Sequence, residues 1–432
     1  MPTSVETETL AKIRSPETTS VRWRLPVVLL ITVIIAYFDR LNISLALPFI
    51  AAEHGWTAEQ TGKYGGTILS IFFVGYGLAN IFFSPIGERV GPRRSLITAV
   101  VFFSLFTVAG AATGGILWLF LVTRLLLGLG EGIHFPMNSK LIKNWFPLSE
   151  RSRANGMWVS GILFATVLAP LILVPIIQWW SWRAMFLLLG IMGMVITIPL
   201  LALFCHDTPA RHPFISTSEK ALIEAGMEAR EPEEERFWKQ VKPFLRDKTY
   251  WLAMLGGIFN NIASFGLLMW FPTYFVEGRG LAFDNLKYAL SIPYVISIAG
   301  IAFMSWAGDK SQRRAYLAGA GYLLTGVIAF FAVRASSIET TVALFAAALF
   351  FQMGFTSQEF AILQRILPRS RVATGTGFYN GVAMLIGGGL GPAIVGGVVA
   401  LSGNYAAGIL AILGAAFLAG FDMLILGRFL KY

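Results

Sequence analysis

The sequence predicts an all-α polytopic membrane protein with 12 transmembrane helices in two pseudo-symmetric six-helix bundles. Three observations predict it. Of 432 residues, 56% are hydrophobic and 13% charged, with a mean hydropathy of +0.66, whereas soluble domains carry about 25% charged residues. Twelve apolar runs each reach the ~20 residues that cross a bilayer as a helix. The runs divide six and six around one long hydrophilic interval, and features of the first six recur in the last six at an offset of 221 residues.

Taken in order, residues 1–24 form a polar tail bearing Lys12, Arg14, Arg22 and Arg24. The run that follows is too long for a signal h-region and contains Asp39-Arg40, so it reads as a retained first span. The first bundle, 25–205, holds expected spans at 25–50, 64–87, 95–113, 116–146, 153–178 and 184–205. The second, 249–432, holds 249–275, 286–307, 316–335, 340–366, 373–401 and 405–427. Between them, 206–248 reads as a solvated cytoplasmic linker. In it Ser218 is expected to begin a capped helix through Glu219, Leu222 and Ala225, and 231–239 resembles a surface helix.

Lysine and arginine set the orientation. With the N-terminus cytoplasmic, 27 fall in cytoplasmic segments, five in outer segments, and Arg40 and Arg124 inside the membrane. That bias places both termini in the cytoplasm of a plasma (inner) membrane. It also accounts for the net charge of +10 without nucleic acid. A single cysteine, Cys205, excludes an internal disulfide and a thiolate metal cage. The four histidines show no metal-ligand spacing, and no nucleophile–base constellation is evident, so neither a metal, a cofactor nor an enzyme is expected.

The polar residues inside the spans carry the functional argument. Arg124, Glu131 and Asn138 are seven apart and form one stripe on the fourth span. A charge at the bilayer centre costs ~2.5–3.5 kcal/mol on insertion scales and survives only against a partner or a watery cavity. On the first span Tyr37, Arg40 and Ser44 share a face, while Asp39 lies about 100° away, towards Asn42. Two intramembrane arginines, whose planar forks pair with carboxylate or sulfonate, point to a small organic anion. A structural ion pair between helices is the blander reading. In the repeat, Asp39-Arg40 falls on Asn260-Asn261, Glu131 on Gln352 and Asn138 on Glu359. The ionic groups thus belong to the first half and neutral hydrogen-bonding groups to the second, where Asn260, Asn261 and Asn380 are candidate ligands. Glu359 reads equally as a proton or substrate site and as a water-facing residue. His134 fits either a structural or a proton-relay role. Asp422 is expected to be solvated. The tryptophans Trp179, Trp180, Trp182 and Trp270 fit interfacial anchoring, and the glycine-rich run 389–397 fits close helix packing.

The segment Ser84-Pro-Ile-Gly-Glu88-Arg89-Val-Gly91-Pro-Arg93-Arg94 resembles the G-x-x-x-D-R-x-G-x-R-R signature of the major facilitator superfamily, with a degraded copy at Asp309-Lys310-Ser-Gln-Arg313-Arg314. Within it, Tyr37-Phe-Asp39-Arg40-Leu-Asn42 and Arg124-x6-Glu131-x3-Phe135-Pro136-x-Asn138 resemble the anion:cation symporter branch, which includes sialin-like, galactonate, hexuronate, glucarate and phthalate permeases. The resemblance implies the major facilitator fold and a monomeric, proton-coupled symporter importing an organic anion by alternating access. Arg40 and Arg124 would serve substrate and coupling, Asp39 and Glu131 would carry protons, and Tyr37 and Tyr76 would bind substrate, with Gln352 and Ser357 from the tenth span. Glu88, Arg89, Asp309 and Lys310 would form a cytoplasmic latch between the halves. Two departures argue against importing a sugar-acid specificity. A glutamine of some members is replaced in Gly161-Ile162-Leu163, and Glu359-Phe360 replaces a hydroxyl and a tryptophan. A facilitator, an exporter and a non-transporting sensor are the competing expectations.

Overall fold

A computed structural model describes residues 19–226, 242–368 and 372–430. Its apolar runs are helical, the form that satisfies every backbone N–H and C=O without water. The first six helices long and apolar enough to cross a membrane are Val21–Glu53, Ala58–Phe82, Pro92–Thr113, Leu117–Trp145, Ser149–Trp179 and Trp182–Phe204. The second six are Lys248–Gly278, Phe283–Ser311, Arg314–Arg334, Ile338–Ile366, Thr374–Ser402 and Tyr405–Phe429. All 12 expected spans are present. The second departs furthest from expectation, because it ends at Phe82 and the short helix Ser84–Val90 follows as a separate element.

Local chemistry fixes the entry to the third span. Gly91 turns the chain at φ 106°, and a Cβ there would lie 3.1 Å from Asp207 Oδ2. Asp207 accepts a 2.8 Å bond from the Arg93 backbone N–H, and the Arg93 guanidinium donates to the Ala202 carbonyl. A carboxylate thus sits on the positive end of the helix dipole, tying the basic segment to the exit of the sixth span.

The two sets of six meet along the second and eleventh spans. A Cβ on Gly396 would lie 2.5 Å from the Gly62 carbonyl oxygen, so only small residues let these backbones touch. Ser291 of the eighth span donates to the Val167 carbonyl of the fifth at 2.8 Å, and Phe49 packs edge-on against Phe283 at 4.6 Å.

Four expectations are corrected. The linker helix runs Thr217–Ala225 with Ser216, not Ser218, as its cap. It is docked rather than solvated: Glu219, fully buried, accepts from Thr19 Oγ1 at 2.5 Å, from the Val21 and Arg22 backbones, and from Arg22 Nη1 at 2.8 Å. Arg22 also pairs with Glu150 at 2.8 Å. The expected helix at 231–239 lies outside the described residues. Trp179 and Trp180 are exposed, but Trp182 and Trp270 are buried, donating to Glu53 at 3.3 Å and the Pro392 carbonyl at 2.9 Å, so they are packing residues. Asp422 is 8% exposed against Gly256, not solvated, because the last span turns it inward onto the seventh.

Candidate functional site

The site begins on the first span. Arg40 is 2% exposed, and its guanidinium lies 4.4 Å from the Tyr37 ring, 4.6 Å from Tyr76 and 5.3 Å from Phe72. The aromatic faces stabilise the cation where water cannot. Arg40 Nη2 donates to Glu131 Oε2 at 3.1 Å, and Glu131 is as deeply buried. Among the described residues Arg40 Nε and Nη1 and Glu131 Oε1 have no hydrogen-bond partner. Removing either charge would strand the other, at several kcal/mol.

Glu131 reaches Arg40 from a broken helix. The fourth span comprises Leu117–Glu131 and His134–Trp145, with the break at Gly132-Ile133. The freed Gly132 carbonyl accepts from Asn80 Nδ2 at 3.2 Å. Backbone irregular at membrane depth is tolerated only where protein or a watery cavity covers it, and such breaks accompany transporter binding sites.

A second chain occupies another face of the first span. Asn42 Nδ2 donates to Asp39 Oδ1 at 3.2 Å, and Arg124 Nη1 donates to Asn42 Oδ1 at 3.4 Å. The Arg124 guanidinium packs on Phe120 and Phe186, at 5.3 and 4.8 Å. The four charged groups therefore converge on one helix, as two arginines and two acids that balance. Arg124 is enclosed by residues of the first six spans, because the helix rotation that turns Arg40 towards Tyr76 turns Asp39 and Asn42 the other way.

The second half carries a neutral network. Gln352 Nε2 donates to Ser264 Oγ at 2.6 Å and to Tyr322 at 3.3 Å, Tyr322 donates to Asn260 Oδ1, and Asn260 Nδ2 donates to Asn261 Oδ1 at 3.1 Å. This repeats between spans seven and ten the pairing of spans one and four. Nearby, Tyr379 donates to Glu359 at 2.6 Å. Ser357 accepts from Gln358 at 2.9 Å, and Asn380, half-buried, joins none of these contacts. Ser264, Tyr322, Tyr379 and Asn80 were not singled out from sequence. Ser264 had a signal, four residues after Asn260 on the same helix face; the tyrosines lie in apolar runs that read as packing.

The expected latch is also corrected. Glu88 pairs with Lys140 at 3.2 Å and Asp309 with Arg314 at 2.6 Å, each within its own half. Arg89 is exposed, and Lys310 lies 5.2 Å from the Trp306 ring. Both acids sit at helix ends whose nearest cations belong to the same bundle.

Twelve spans, a broken helix at membrane depth and buried compensated charges define a membrane carrier. Residues 29–392 match the Major Facilitator Superfamily, and the chain belongs to that family. A hexuronate transporter of Bacillus subtilis (strain 168) is 28% identical over 94% of this chain and 95% of its own length. A probable L-galactonate transporter of Escherichia coli (strain K12) is 26% identical over 85% of this chain and 80% of its own. These relatives are transporters, not enzymes, and match the branch that the first-half motifs resemble. The fold is that of a bacterial homologue of the human lysosomal transporter Spinster, in an inward-facing, unoccupied conformation. That structure has a TM-score of 0.78 at 16% identity, over 95% of this chain and 98% of that one.

Proposed function

We propose that the protein is a proton-coupled symporter that imports a small organic anion, a carboxylate or sulfonate, by alternating access of its two six-span halves. The observation that carries this reading is the buried Arg40–Glu131 pair, in which Arg40 keeps two nitrogens without a partner among the described residues. The names of the relatives, a hexuronate and an L-galactonate transporter, support an organic acid as the cargo.

In the empty carrier Glu131 compensates Arg40. An entering carboxylate takes the guanidinium, and Glu131, stranded in low dielectric, takes up a proton. Asp39 is the second acid, held against Arg124 through Asn42. Tyr37 and Tyr76 flank the anion, and the Asn260–Asn261–Gln352 network, with Ser357, Asn380 and Glu359, receives its remaining polar groups. A monoanion with one proton is electroneutral and gains only ~1.4 kcal/mol per pH unit. A second proton adds ~2.3 kcal/mol per 100 mV. The bias of 27 basic residues to five supports a plasma-membrane protein with both termini cytoplasmic. It works as a monomer, with bundles 25–205 and 249–432 as the moving bodies.

The test is uptake in proteoliposomes. Glu131→Gln should abolish accumulation driven by an inward proton gradient while substrate exchange persists. Undiminished accumulation in that variant overturns the assignment.

A further inference from the structure

We propose that His134 is the proton exit relay of the coupling acid: it takes the proton from Glu131 and passes it towards the end of the bundle that carries the termini. This rests on the reading of Glu131 as a coupling acid, and adds a residue and a route that reading does not use.

His134 is the first residue of the second segment of the broken fourth span, three positions after Glu131. It is 1% exposed, and neither ring nitrogen has a hydrogen-bond partner among the described residues. An unpaired buried polar group costs about 1–3 kcal/mol, so a purely structural histidine would be expected to find a partner. One turn on, Asn138 is fully buried with both amide atoms likewise unpartnered. Glu131 closes the first segment of the fourth span, and His134 and Asn138 follow it at i+3 and i+7 in the second, so the three succeed one another along about 10 Å of chain rise at 1.5 Å per residue towards the termini. Arg40 is the charged group on the first span whose field reaches His134, and it repels the imidazolium. On the second and third spans, stretches 64–82 and 95–113 carry no ionisable side chain except Tyr64 and Tyr76.

The step balances without a further reactant. Protonated Glu131 gives its proton to one nitrogen of neutral His134, leaving a carboxylate beside Arg40 and an imidazolium. The imidazolium releases a proton from its other nitrogen to water entering from the end of the bundle that carries the termini, with the Asn138 amide oxygen as a hydrogen-bond acceptor along that path, and tautomer exchange resets the ring. As the anion leaves Arg40, the new Glu131 carboxylate re-forms the ion pair, so proton release and substrate release assist each other.

The test uses the full-length protein in proteoliposomes, with whichever of D-glucuronate, L-galactonate and sulfoacetate the wild type accumulates. His134→Ala and His134→Gln should each lower proton-driven accumulation at least about a hundredfold, the low end of the usual range for a lost proton-transfer group. Substrate counterflow should fall far less, and added imidazole should restore accumulation in His134→Ala. Undiminished accumulation in His134→Gln overturns the relay. So does a parallel loss of counterflow and accumulation in both variants, the mark of a structural or substrate-binding residue. If the wild type accumulates none of the three acids, the transport reading falls and the relay with it. If the wild type accumulates one and the histidine variants match it, the relay alone falls.

Discussion

Arg40 and Glu131, 91 positions apart, meet at 3.1 Å with side chains exposed by no more than 2%. The pair is expensive to break from one side only. Arg40→Ala should lower stability by about 3–5 kcal/mol, because it leaves a buried carboxylate unpaired. The double variant Arg40→Ala/Glu131→Gln should recover most of that loss and still bind no anion. Thermal unfolding in detergent and substrate-induced shifts measure the two effects separately; a double variant no more stable than the single one contradicts the pairing.

Asn42 links Arg124 to Asp39, so its removal should uncouple rather than unbind. Asn42→Leu should reduce accumulation about tenfold or more, as loss of an organised proton site does, with substrate affinity changed far less. Titration of binding by intrinsic tryptophan fluorescence, beside uptake, distinguishes this from a direct role of Arg124 in holding the anion.

Glu219 is the anchor of the linker helix. Glu219→Ala should cost about 1.5–3 kcal/mol, the scale of hydrogen bonds to a charged group, and expose 19–24 and the linker helix to protease. Glu219→Gln should be milder, since it keeps one acceptor. Limited proteolysis of the two variants at equal temperature reads the difference.

Gly396 lies where the second and eleventh spans touch. Gly396→Leu should leave a monodisperse protein with the initial uptake rate cut at least about tenfold, since overpacking this contact costs 1–3 kcal/mol in whichever state closes it. An uptake rate equal to that of wild type shows that the contact does not gate transport.

The number of spans, the six-and-six division and the identities of the membrane-buried charges were legible in the sequence. Hydropathy over ~20 residues and the spacing of polar residues are local properties that a bilayer reads directly. The fourth-span stripe and the Asn42 side of Asp39 were legible for the same reason, helical periodicity. Partner choice was not. Asp39 and Arg40 are neighbours in the chain, yet one joins Asn42 and Arg124 and the other Glu131. Which face of a helix meets which neighbour depends on its rotation and on the shapes packed around it, and no single helix specifies either. Glu88 and Asp309 likewise took partners in their own halves, and Glu219, read as a solvated residue, became buried because the chain before the first span folds back over it. The sequence alone determined that charge lies inside the membrane; the tertiary structure decided which charges compensate each other, because burial removes the water that would otherwise make the choice unnecessary.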